Sequence, residues 1–229
     1  MKKYRYWIPS TFTLMNLCLG VVAILINDPL KSLVLIFIAL FFDLFDGILA
    51  RAINGQSEFG KQLDSLADLI SFGVAPAYLV FYHSFLIDSN LRFVVVLIPV
   101  FSAIRLAMFN IDSSQKTNFR GLPTPANGLF FASIPYASNL FNVFYPDVLM
   151  AVVIVFFAFL LISPIRMFSF KNLKNGGVDL FFPLIFVAFV TALFTVFGLK
   201  IIPICVLLYV LMSIIYSIIL LSKNSKSHS

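Results

Sequence analysis

Residues 43–68 of this 229-residue chain read DLFDGILARAINGQSEFGKQLDSLAD. Asp43 and Asp46 stand three apart, and Asp64 and Asp68 four apart, so on helices each pair would share one face. Four carboxylates from two neighbouring helices make an all-oxygen donor set. Such a set suits Mg2+ or Mn2+, whereas zinc calls for the His and Cys that this stretch lacks. One or two divalent cations would neutralise the four acids. Arg51 could supply one positive charge at most.

The flanks explain why neutralisation is needed. KSLVLIFIALFF precedes the stretch and LISFGVAPAYLVFY follows it, and an unpaired ionised carboxylate in hydrocarbon is costly. Asp64 could be read as capping a helix start at the interface, but Asp43 and Asp46 lie inside an apolar run. The whole chain is 61% hydrophobic and 11% charged, with 28 phenylalanines, far from the balance of a soluble domain. The expected fold class is an all-α integral membrane protein. About eight spans long enough to cross a bilayer fall near residues 9–27, 31–53, 65–87, 91–110, 126–145, 148–168, 180–198 and 201–221. The basic start MKKYRY resembles the head of a signal peptide, but no small-residue cleavage pattern follows, so a retained first helix is expected.

At the helical rise, Asp43 is about 18 Å from Lys31 and about 12 Å from Arg51 along its helix, so the acids gather toward the Arg51 end. With the N-terminus inside, eight spans leave only Lys31, Arg92 and Lys200 of the 16 basic residues outside, the asymmetry expected of a cytoplasmic N-terminus. The longer polar segments, 54–64, 111–125 and 169–179, then face the cytoplasm together with the acids. The net charge of +6 reads as a basic rim against anionic headgroups of the lipid bilayer, with no nucleic-acid partner. Short loops imply a single transmembrane domain over 1–222 and a disordered tail over 223–229. Cys18 and Cys205 fall inside spans and suggest no disulfide framework, while His83 and His228 lie away from the acids.

Small residues interleave the acids: Gly47, Ala50, Gly60 and Ala67. They could let helices pack closely or admit a ligand to the backbone, and position alone does not decide. Asn54-Gly55 fits a helix end, and Ser57 with Glu58 fits the start of the next.

The order D-x-x-D-G-x-x-A-R-x8-G-x3-D-x3-D, met by Asp43, Asp46, Gly47, Ala50, Arg51, Gly60, Asp64 and Asp68, resembles the signature of the CDP-alcohol phosphatidyltransferases. The segments SEFGKQLDSLADLISFGVAPA, AIRLAMFN and FRGLPTPA are similar to the branch of that family that uses serine as acceptor. The likeness extends over roughly residues 8–130. It implies a core of six transmembrane helices with additional ones, arranged as a homodimer. It also implies two metal ions held by Asp43, Asp46, Asp64 and Asp68, with Asp68 as catalytic base or purely as ligand. Gly47, Ala50 and Gly60 would line the nucleotide pocket, and Arg51 would lie near the phosphates or the cytidine. The family's P-N-x-x-T-x-x-N appears as PSTFTLMN, so Thr13 and Asn16 match, which implies that they bind the nucleotide end of CDP-diacylglycerol, and Ser10 replaces the usual Asn.

The implied reaction is transfer of a phosphatidyl group from CDP-diacylglycerol to the hydroxyl of L-serine, with release of CMP. Serine brings a carboxylate, and Arg105 and Arg120 are the candidate cations for it or for phosphate. Glycerol 3-phosphate or inositol phosphate would use the same donor chemistry. A cation transporter would also carry intramembrane acids, but the outer halves of the spans hold no charges to continue a pathway.

Overall fold

The computed structural model describes residues 7–53, 55, 57–83, 90–112, 120–141, 147–168 and 178–226. Trp7–Ile26 forms α1, which lacks any charged residue. Its end turns at Asn27, and Asp28 caps α2 (Pro29–Ala52) by accepting from the Lys31 amide at 2.8 Å. Pro29 fits the first position, where no intrahelical donor is needed. α1 and α2 form an extensively packed antiparallel pair.

The third rod has three parts. α3 (Glu58–Asp68) starts at Ser57, whose hydroxyl accepts from the Gly60 amide at 3.0 Å. A π turn follows over Leu69–Val74, and α4 (Ala75–His83) completes the span. The widening has a local cause: Pro76 has no N–H to give the carbonyl of Phe72, so the ladder opens just before it and the Ala75 amide reaches back to Ile70. Small contacts lock the turn on three sides. The Ser71 hydroxyl donates to the Asn16 carbonyl of α1 at 2.9 Å, and Gly73 lies against Pro99 and Ser102. On the third side Gly128 lies so close to Phe72 that a Cβ there would stand 2.7 Å from the Phe72 Cα.

A 3-10 stretch (Asn90–Val96) leads into α5 (Leu97–Ile111). α6 (Thr124–Phe141) touches α2, α4, α5, the fifteen-residue α7 (Asp147–Leu161) and α9 (Ile202–Lys226), and therefore forms the centre of the bundle. Phe130 of α6 stacks on Phe157 of α7 with ring centroids 4.1 Å apart. α8 (Val178–Phe197) reaches α9 through a short turn in which Gly198 takes a φ of 61°.

Among the described residues no β-strand forms, and one isolated antiparallel bridge joins Arg120 to Arg166. Five stretches of the described residues are long and apolar enough to cross a bilayer: Pro9–Ile26, Pro29–Ala52, Glu58–His83, Asn90–Ile111 and the 42-residue run Asp179–Leu220. The chain is a multi-pass, all-helical membrane protein.

The expected span boundaries differ at two places. The third helix begins at Glu58 rather than near 65, because the Ser57 cap lets a polar, amphipathic turn precede the apolar part. The sixth ends at Leu161 rather than near 168, where Ser163 and Pro164 stop the helix. α9 continues through residues 223–226 of the expected tail, and 227–229, with His228, lie outside the described residues. So do Asn54, residues 113–119 of the 111–125 segment and residues 169–177 of the 169–179 segment. Cys18 and Cys205 are free thiols. His83 is engaged elsewhere: its Nε2 lies 2.9 Å from both the main-chain and the side-chain oxygen of Asn27.

Candidate active site

Helix spacing puts the acids on facing surfaces of α2 and α3, and the structure brings three of them together. One carboxylate oxygen each from Asp43, Asp64 and Asp68 lies within 4.8 Å of the others. Asp64 Oδ1 is buried with no hydrogen-bond partner. Carboxylate oxygens so close repel unless a cation joins them, and the set has the hard-oxygen chemistry of a divalent ion site. The residues present fit a metal.

Asp46 stands apart from this triad, although it lines the same cavity as Asp64. Its Oδ2 accepts from the Thr13 hydroxyl at 2.6 Å. Asp68 is likewise held by α1, since Asn16 donates from Nδ2 to its Oδ1 at 3.1 Å. Thr13 and Asn16 are both buried, one turn apart on α1, and each orients one acid. They are ligands of the aspartates in this geometry, a role that the motif PSTFTLMN alone does not disclose.

A cavity of about 580 Å³ opens beside the acids, lined by Ser10, Thr13, Asp46, Gly47, Ala50, Ser57, Glu58, Gly60, Lys61 and Asp64 among others. The alternatives for the small residues can now be separated. A Cβ on Gly47 would meet only the far end of Arg51, at 3.7 Å, and one on Gly60 would meet Ser57 Oγ at 3.2 Å. Neither glycine is needed for helices to approach, so both leave space in the cavity. Gly128, outside the motif, is the close-packing kind. Arg51 does not lie between the acids: its exposed side chain runs back along α2 over Gly47.

Arg105 and Arg120 line a second cavity, of about 170 Å³, with Met108, Asp112, Leu161 and Ser163. Arg105 is buried and donates from its guanidinium to the Thr124 hydroxyl at 3.2 Å. Arg120 is exposed and is fixed through its backbone neighbours: the Gly121 amide donates to Ile165 O at 2.9 Å, and the Leu122 amide to Leu160 O at 3.1 Å. Gly121, with a φ of 74°, makes the tight turn that lets this segment lie against the end of α7.

Sequence reasoning singled out Asn110 and the turn at 121–125 that holds Thr124 as shaping the site, and missed Lys61 and Ser65. Lys61 precedes Asp64 by three residues and Asp68 by seven, so the helical period that groups the acids also puts it on their side. The contacts of Asn110 and Thr124 join residues more than fifteen apart and leave no mark in local spacing.

The sequence model of the CDP-alcohol phosphatidyltransferase family matches residues 6–162, extending the likeness beyond residue 130 to take in the α7 end that braces Gly121 and Leu122. Three similar proteins are each named CDP-diacylglycerol–serine O-phosphatidyltransferase. The one from Bacillus subtilis is 34% identical over 182 residues, covering 74% of this chain and 97% of its own. The one from Methanocaldococcus jannaschii is 37% identical over 161 residues, 70% of this chain and 73% of its own. The one from Helicobacter pylori is 32% identical over 210 residues, 86% and 89%. With Asp46, Gly47, Ala50, Gly60 and Asp64 of the motif lining one cavity and the match running through most of its length, this chain belongs to the CDP-alcohol phosphatidyltransferase family.

Proposed function

We propose that the protein transfers the phosphatidyl group of CDP-diacylglycerol to the hydroxyl of L-serine, forming phosphatidylserine and CMP. The observation that carries the chemistry is the convergence of Asp43, Asp64 and Asp68 within 4.8 Å at the edge of a cavity large enough for a nucleotide. The choice of serine rests on the names of the similar proteins.

Two Mg2+ or Mn2+ ions, held by the three converging aspartates and Asp46, would supply charge neutralisation at the diphosphate and at the departing CMP. The chain's own residues do the rest. Gly47, Ala50 and Gly60 leave room for the cytidine end of the donor, with Arg51 at the rim. The serine hydroxyl attacks the phosphorus that carries the diacylglycerol, the bond from that phosphorus to the CMP oxygen breaks, and the hydroxyl proton passes to a carboxylate. Asp68 is the group assigned to that proton, since it is buried within the carboxylate cluster and Asn16 holds one of its oxygens. Arg105, and more weakly the exposed Arg120, receive the serine carboxylate in the smaller cavity.

The active site faces the cytoplasm in this reading, as the distribution of basic residues requires, and the protein works as a homodimer in the cell membrane. A cysteine at Ser57 should react with a membrane-impermeant thiol reagent only after cells are opened; reaction in intact cells would invert the topology. The function itself is tested by supplying purified protein in vesicles with Mg2+, CDP-diacylglycerol and, in turn, serine, glycerol 3-phosphate or inositol phosphate. Phosphatidylserine and CMP from serine alone is the expected result, and product from another acceptor alone would overturn the assignment.

A further inference from the structure

Lys61 is the one basic side chain among the described residues that line the larger cavity, whose other charged lining residues are Asp46, Glu58 and Asp64. Its ammonium donates at 2.5 Å to the carbonyl of Asn110, in the last turn of α5, where carbonyls lack helical partners and the helix end is partly negative. The contact belongs to a closed ring. Asn110 donates from Nδ2 to Ser65 Oγ at 2.8 Å, and Ser65 donates from Oγ to the Lys61 carbonyl at 3.1 Å. An ammonium carries three N–H donors, and the ring takes one.

The brace takes one donor of a half-buried ammonium that lines a cavity of about 580 Å³, and an anion entering that cavity would find the others. We propose that Lys61 binds the diphosphate of the cytidine-diphosphate donor, its ammonium held at the cavity wall by Asn110 and Ser65. It then serves as a point charge on the phosphate oxygens. The assignment rests on the donor proposed above.

The experiment uses the full chain, purified in detergent with Mg2+, and measures CDP affinity by calorimetry, KM for each substrate in vesicles, and thermal stability. Lys61→Met should weaken CDP binding and raise KM for CDP-diacylglycerol about ten- to a hundredfold, the loss of one charge-assisted contact, while KM for serine stays as in the unaltered protein. Lys61→Arg should recover part of the CDP affinity. Ser65→Ala, which opens the ring but keeps the ammonium, should lower thermal stability with a smaller effect on CDP. If Lys61→Met lowers stability like Ser65→Ala and leaves CDP affinity intact, the lysine is only a brace and the proposal fails. A rise confined to the serine KM overturns it as well. An unaltered protein that neither binds CDP nor releases CMP would remove the donor reading itself, whereas normal CDP binding by both proteins removes the lysine alone.

Discussion

Asp43, Asp64 and Asp68 reach one another from inside two helices, at positions set by helical spacing, whereas Arg105 and Arg120 reach their cavity from a helix and from a short segment laid against the end of α7. Both regions concentrate like charge in a membrane protein. The acids are held by regular structure and by hydrogen bonds from α1, and removing one unbalances the set. Of the arginines, Arg105 is buried on α5, whereas the exposed Arg120 is held by irregular backbone. A family that keeps one donor and changes acceptors would be expected to build the shared chemistry on the rigid elements and the variable recognition on the irregular ones.

The largest expected effect tests the acid side. Asp64→Asn or Asp68→Asn should lower CMP release by about a hundred- to a thousandfold, the scale of losing one preorganised electrostatic group, with membrane insertion intact. Excess EDTA should do the same, reversibly on adding Mg2+. Retention of activity by Asp43→Asn would break the comparison, because the α2 acids would then be dispensable.

On the arginine side, Arg105→Ala should raise the serine KM about ten- to a hundredfold and leave the KM for CDP-diacylglycerol nearly unchanged. Arg120→Ala, at the exposed position, should do less. The reverse split, donor weakened and serine not, would merge the two regions into one phosphate site. Smaller again is Thr13→Val, which leaves the four aspartates in place and removes the hydroxyl that holds Asp46. The Mg2+ concentration for half-maximal activity should rise about tenfold, as for other groups that orient a metal ligand.

The smallest effects separate two kinds of glycine. Gly128→Ala forces a Cβ against the Phe72 backbone and should cost about 1–3 kcal/mol of stability by overpacking, read as a lower melting temperature. Gly47→Ala meets only the tip of Arg51, so it should leave the melting temperature unchanged and act on donor KM. Equal stability losses in both would show that Gly47 serves packing after all.

Much of this architecture is legible in the sequence, where local chemistry decides it. Asp28-Pro29 and Ser57 start their helices as the capping rules require, and the three- and four-residue spacing of the acids puts them on facing surfaces. What local spacing cannot carry is pairing across the bundle. That Thr13 holds Asp46, or that Asn110 receives Lys61, depends on which helices become neighbours. Likewise, nothing in FRGLPTPA indicates that its backbone bonds to residues 160 and 165. The end of α3 is a different case: LISFGVAPA reads as uninterrupted α-helix until one asks what Pro76 does to the turn before it.

That wide turn sets an angular phase. Each residue of an α-helix advances about 100° around the axis, so a turn containing one residue more shifts everything after it relative to everything before. α3 can thereby aim Asp64 and Asp68 at α2 while α4, on nearly the same axis, buries Ala75, Leu79 and Val80 in the core. Substitutions within 69–74 that preserve its small contacts change local packing only. A deletion of one residue there would rotate one half of the rod against the other, leaving either the carboxylates or the α4 core face turned toward lipid. The third span thus behaves as two helices geared at a fixed offset, and its length between Asp68 and Ala75 is as strict a requirement as the identity of either aspartate.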